Sequence, residues 1–343
     1  MMKSFVTCLV LLSLILIAHA ASAQINKGTV FTADEKAGTI TSIHLTTGKV
    51  QTVQVSIFPH NVQISSDGEW LAAVGDVRKE DHHAHGAVIE QGERGSGLLL
   101  LLQADDMAAG PVKSIEVGSH PAHVVMDKDS EYAFVTVAGE NVLAVVDLVQ
   151  GEVVQRVQTG SYPHGLRMSP DEKEIYLANV VGDSVSVISV PELEETSRIT
   201  VGPAPVQVGF LPDGSEVYVS LRDENKVAVI DTLTTEVTAK IEVGRGPIQV
   251  YATPDSRYVY VANEGTPEDP DDTVSVIGTI EKRVVDTIRS GSGAHGVVVS
   301  DDGRLVFVTN TLDNTVSVID THSREVVKIV EVGQGPNGVT YRK

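Results

Sequence analysis

Short apolar runs of Val, Ile, Leu and Tyr recur along the whole chain, and Gly, Pro, Asn and Asp break them every few residues. Many runs alternate apolar and polar positions, the period of a strand whose successive side chains point to opposite faces. They come in a fixed order: a short apolar strand, a Ser-Pro-Asp-Gly-like turn, an alternating strand, a polar turn, a Val-Ser-Val-Ile-Asp-like strand and a closing strand ending in Val-Gly. The clearest copy runs from Val208 to Gly244, with its turn at Pro212-Asp213-Gly214 and later strands at Val217-Tyr218-Val219, Val227 to Asp231 and Ile241 to Val243. A four-stranded unit of this kind cannot bury its apolar faces alone, so recurrence at roughly 42 residues predicts packed copies.

A Gly-x-x-Pro signal ahead of the first strand sets the count. It gives starts at Pro59, Pro121, Pro163, Pro205, Pro247, Ala294 (where alanine replaces proline) and Pro336. The seventh start is followed by a single strand, Gly338 to Arg342. Three strands without a first strand of their own stand far upstream, at Thr29 to Ala33, Thr39 to Leu45 and Val50 to Val55. Pairing them with the last strand closes a ring and removes its seam. The expected fold class is all-β, a seven-bladed β-propeller with four-stranded antiparallel blades, the last closed by N- and C-terminal strands.

The first residues follow another pattern. Met1-Met2-Lys3 is a short basic start, Phe5 to Ile17 an apolar run, and Ala21-Ser22-Ala23 a small-residue cleavage site. The run is shorter than the roughly 18 residues of a spanning helix. Residues 1–23 are therefore expected to be a signal peptide and 24–343 a single propeller domain, periplasmic or secreted, with no membrane insertion after cleavage. The only cysteine, Cys8, lies in the signal, which leaves the mature chain without a disulfide, a Cys-ligated zinc or a C-x-x-C-H haem attachment motif. A net charge of −20 opposes nucleic acid and favours metal ions or small cationic ligands. No Ser-His-Asp order, nucleotide-binding Gly-rich loop or paired-carboxylate signature stands out, so catalytic residues stay unknown.

Tyr258-Val259-Tyr260-Val261-Ala262-Asn263, Val306-Phe307-Val308-Thr309-Asn310 and Ile175-Tyr176-Leu177-Ala178-Asn179 resemble the YVTN family of propeller repeats, and the resemblance spans essentially all of the mature chain. It implies the fold; one fold hosts many activities. Asn179, Asn263 and Asn310, with Asp147, Asp231 and Asp320, read as turn-fixing residues that bond local backbone.

Chemistry concentrates in the histidines. Eight of the ten outside the signal map to one face of the propeller. His60, His164 and His295 directly follow the repeat proline or its replacement, and His123 comes one residue later, at the start of innermost strands that line the central channel. The corresponding slots in other blades hold Gln207, Gln249 and Asn337. The largest insertion, residues 78–96 of blade one, carries Asp81-His82-His83-Ala84-His85 and opens on the same side. His120 precedes its proline, and His44 and His322 map elsewhere. Neutral imidazole is the commonest protein ligand for late transition metals, so His60, His82, His83, His85, His123, His164 and His295 are candidate ligands for copper or zinc. Asn61, Gln207 and Gln249 are candidates to orient the rings. The Asp-His-His-x-His string on an exported seven-bladed propeller resembles part of the cluster site of nitrous oxide reductase, which implies copper; reductase activity is not implied, because the mature chain has no cysteine for an electron-accepting centre. A second insertion, the acidic 264–272 loop, opens on the same rim and is expected to be solvated, with calcium binding or cation funnelling as the alternative. Two other functions stay open: a non-enzymatic scaffold whose rim binds a peptide, glycan or envelope protein, and a non-covalent haem site, implied by the resemblance of YVTN repeats to the propeller of haem d-type nitrite reductase.

Overall fold

The computed structural model describes residues 27–78 and 96–343. The signal segment and His82, His83 and His85 lie outside the described residues. The rest forms seven four-stranded antiparallel sheets. In six blades the innermost strand begins on the residue marked by the repeat signal: Pro121–Met126, Pro163–Met168, Pro205–Phe210, Pro247–Ala252, Ala294–Val299 and Pro336–Arg342. Blade one starts slightly earlier, at Ile57–Ile64. In the seventh blade Pro336–Arg342 pairs with Thr29–Asp34, which continues to Thr39–His44 and Val50–Gln54. The ring closes through both chain ends, as expected.

The two kinds of hydrophobic pattern have separate causes. Third strands such as Val142–Asp147 and Ser184–Ser189 are covered on both faces by neighbouring blades and are buried along their whole length. Outermost strands such as Glu236–Glu242 have one wet face and alternate. Among the described residues there are seven apolar clusters, one between each pair of adjacent blades, including the pairs that flank the closing blade. At about 1.5–3 kcal/mol per buried Val, Leu or Ile, these clusters hold the ring without a disulfide. Tyr176, Tyr218 and Tyr260 occupy equivalent fully buried positions in them, with Phe134 and Phe307 in the same slot of two other blades.

The repeated asparagines correct their expected role. Asn179 donates to the hydroxyls of Ser184 and Ser186, Asn263 to Thr273 and Ser275, and Asn310 to Thr315 and Ser317. They brace a hairpin through side chains and do not bond local backbone. Asp147, Asp231 and Asp320 do accept from turn amides, those of Gln150, Thr234 and Ser323.

Candidate metal centre

The innermost strands enter the channel through β-bulges. In blade three Pro163 pairs with Asn179 and Leu166 with Leu177, which leaves an extra residue in the His164-Gly165 segment. Blades one and two break register in the same place, between Pro59 and Asn61 and between Pro121 and Val124. A bulge interrupts strict alternation and re-aims a side chain. His60 and His164, one residue past the start, therefore reach the same channel mouth as His123, two residues past it.

There the three imidazoles meet. One ligand atom from each lies within 4.8 Å of the other two, and the ring centroids are 4.8 to 5.7 Å apart. Nε2 of His60 is 3.0 Å from Nε2 of His164. The opposite ring nitrogens are engaged from outside. Nδ1 of His164 donates to the Val206 carbonyl at 3.2 Å, which fixes the tautomer and leaves the Nε2 lone pair toward His60. Nδ1 of His60 bonds Oε1 of Glu35 at 3.1 Å, and Oε2 of Glu35 accepts from Asn337 at 2.6 Å. Gln207 Nε2 lies 3.4 Å from Nδ1 of His123. Gly165 permits this approach of blades three and four, because a Cβ there would stand 2.5 Å from the Val206 carbonyl oxygen.

A hydroxyl ties the two bulges together. Thr136 accepts from the His123 amide at 3.0 Å and donates to the His164 carbonyl at 2.6 Å. Ser220 and Thr309 repeat the device in other blades. Thr136 is fully buried, so Thr136→Val strands both backbone groups. An expected loss of about 1–3 kcal/mol is measurable as a lower urea midpoint.

The charges follow from this arrangement. Burial disfavours a charged His60, but the charge of Glu35 and its hydrogen bond outweigh burial and raise the imidazole's pKa. For Glu35, burial pushes upward, yet the His60 charge and the bonds from His60 and Asn337 prevail and hold it at about 2. Burial, with the His60 charge, takes His164 down to about 3. His123 is held well below the ordinary range by burial, then by the charges of His164 and His60. His164 and His123 stay neutral near neutral pH, and the Nε2 lone pair of His164 is placed to accept from Nε2–H of His60.

Of the four candidate ligands among the described residues, three converge. His295 comes from blade six, buried at 7 % exposure with no partner for Nδ1 among the described residues, and stands outside the three-histidine group. His120 is more than half exposed and paired with Asp76 at 2.7 Å. Of the proposed ring-orienting amides only Gln207 touches a ring; Asn61 and Gln249 accept from the Val124 and Val297 amides of neighbouring strands. In the acidic insertion Asp269 and Asp271 face Arg245, and Asp272 faces Arg289; Asp271 is buried and accepts from the Thr273 hydroxyl, so the insertion is solvated only in part. Sequence reasoning missed Glu35. It sits in the second-to-third-strand turn of the closing blade, the same type of loop as the 78–96 insertion, and that equivalence was the available signal. A cavity of about 500 Å³ adjoins the centre, lined among others by Glu35, His60, Asp76, His120, Tyr162 and His164.

Two family profiles match this architecture. The YNCE-like beta-propeller profile matches residues 100–257, and the cytochrome D1 heme domain profile matches residues 245–338. Together with the seven four-stranded blades, these matches support a YVTN-type seven-bladed propeller family. No curated protein matches the chain. Among solved structures, the chain is similar to Kuenenia stuttgartiensis hydrazine synthase at 17 % identity and a TM-score of 0.67, covering 83 % of this chain and 95 % of that one. It is also similar to a functionally unknown protein from Desulfotomaculum acetoxidans at 15 % identity and a TM-score of 0.73, covering 92 % and 98 %. At these identities the likeness concerns the fold of the propeller alone. Among the described residues no helix is long and apolar enough to cross a membrane.

Proposed function

We propose that this propeller is an exported metal-binding protein that holds one copper or zinc ion between His60, His123 and His164 at the channel mouth. The observation that carries the reading is the pairing of convergent ligand atoms with outer partners: a carboxylate on His60, a backbone carbonyl on His164 and an amide beside His123. Metal-bound histidines are oriented in this manner. Imidazole donors suit copper and zinc alike. Three protein ligands leave a position for water or another ligand, and the adjoining cavity gives it room. In the metal-free chain a proton on His60 occupies the place of the cation, so metal uptake displaces it. Glu35→Gln tests the outer partner: copper or zinc affinity, measured by calorimetry, is expected to fall about 10- to 100-fold with the fold unchanged.

Haem is a second reading, favoured by the cytochrome D1 heme domain match over residues 245–338. That stretch contains His295 and His322, and of the two His295 lies on an innermost strand. On the wall of the cavity beside the histidines Lys36 favours a propionate, whereas Glu35 and Asp76 oppose one. A Soret band shifted on mixing with haem, and lost in His295→Ala, supports haem; an unshifted spectrum removes it.

A further inference from the structure

The opposite mouth of the channel carries a different chemistry. A cavity of about 410 Å³ lies at the far ends of the innermost strands of blades three to six, and it shares no lining residue with the cavity beside the histidines. Its wall is largely apolar, with Met168, Phe210, Tyr251 and prolines from three blade turns. Into it comes Arg167, three residues beyond His164 on the same strand, roughly 10 Å along.

Arg167 is unusual in this chain. Acidic residues outnumber Lys and Arg by 46 to 26, and most arginines on the surface have carboxylate partners. Arg167 forms no ion pair among the described residues. Its only hydrogen bond there is from Nη1 to the carbonyl of the preceding Leu166 at 3.0 Å. Its guanidinium carbon stands 5.8 Å from the centroid of the Tyr251 ring, and burial presses its pKa down. The Tyr251 hydroxyl has no hydrogen-bond partner among the described residues. Asp301 lines the same cavity but does not come within ion-pair distance of Arg167. Arg167 is partly buried; a cation withdrawn from water without a counter-charge is costly, and an aromatic face compensates only in part.

We infer that this second mouth is a binding site for a small organic monocarboxylate, whose carboxylate pairs with the free donors of Arg167 and the Tyr251 hydroxyl while its apolar body packs on Phe210, Met168 and the prolines. Arginine presents a planar fork that matches a carboxylate in two-point contact. The apolar wall favours an organic body over a bare inorganic anion, which would keep its own hydration. The site stands apart from the metal centre, and its test does not depend on that reading.

The test is calorimetric titration of the metal-free full chain with benzoate, and with sulfate as the inorganic control. Benzoate is expected to bind the wild type more tightly than sulfate. Arg167→Gln is expected to weaken benzoate at least about tenfold, and Tyr251→Phe, which keeps the ring and loses the hydroxyl, by a few-fold. Should Arg167→Gln not fold, Arg167→Lys keeps the charge but not the fork and is expected to show the same direction of loss. Absence of benzoate binding at 10 mM (about the weakest affinity worth calling a site), equal binding by the Arg167 variant, or sulfate binding as tightly as benzoate overturns the inference.

Discussion

Replacing His164 with alanine will weaken copper or zinc binding by more than about 100-fold, beyond the roughly 10- to 100-fold range of an outer-partner change. His164 is the member of the group whose chemistry is most completely set by the chain. The Val206 carbonyl holds its Nδ1 proton, the Nε2 lone pair meets His60 at 3.0 Å, and burial keeps the ring neutral through the physiological range. His164→Ala removes a ligand and also the acceptor that positions the His60 proton. The backbone of the bulge is retained, because Thr136 bonds the carbonyl of residue 164 and not its side chain. Circular dichroism is thus expected to be unchanged while the calorimetric binding signal is lost. Retention of wild-type affinity excludes His164 as a ligand.

The second large effect is a loss of stability in acid for the metal-free chain. His164 titrates near 3 when folded, against about 6.5 for an unperturbed histidine. Between these values the unfolded chain binds a proton that the folded one refuses, so stability falls as pH falls, by about 1.4 kcal/mol per pH unit for one such group. His123 and His295 are also lowered and act in the same direction. His60 has the opposite sign: its raised pKa stabilises the fold fully below the unfolded value, and that contribution fades as pH rises through the folded value. Glu35, lowered to about 2, contributes above the unfolded carboxylate range and loses its contribution only as pH falls toward 2. The lowered histidines outnumber the raised one, so the urea midpoint of the wild type is expected to drop from pH 6.5 to pH 4.5. In His164→Asn the slope is expected to be shallower by about one histidine's share. An identical slope in the variant contradicts the buried neutral state of His164.

Blade number and closure were legible because their signals are local. A left-handed residue before six of the seven inner strands, such as Tyr162 at φ 58° or Gly335 at φ 62°, and the proline or alanine that follows recur at fixed spacing. The strand that starts there needs no information from elsewhere in the chain. The site was legible in part. His60, His123 and His164 were named, but their convergence depends on bulges set by pairing between strands, and a linear pattern with a period of two does not show them. His295 has the same position in its own blade, including the break in register, yet it stands outside the three-histidine group. Blades one to three are consecutive around the ring, whereas blade six is two blades away from blade one. Glu35 reaches His60 across the junction between the closing blade and blade one, a contact between different repeats that repeat alignment treats as unrelated positions. Arg167 was overlooked for a simpler reason: on an acidic chain a lone arginine in a strand attracts no notice until its lack of a carboxylate partner is seen.

The central claim is that His60, His123 and His164 together hold one transition-metal ion. Its most direct test is stoichiometry on mature protein purified without a His-tag, stripped of metal and titrated with copper or zinc, with bound metal counted by mass spectrometry. One ion per chain is predicted for the wild type, and none for a folded chain carrying His60→Ala, His123→Ala and His164→Ala together. No stoichiometric uptake by the wild type, or undiminished uptake by the triple variant, contradicts it.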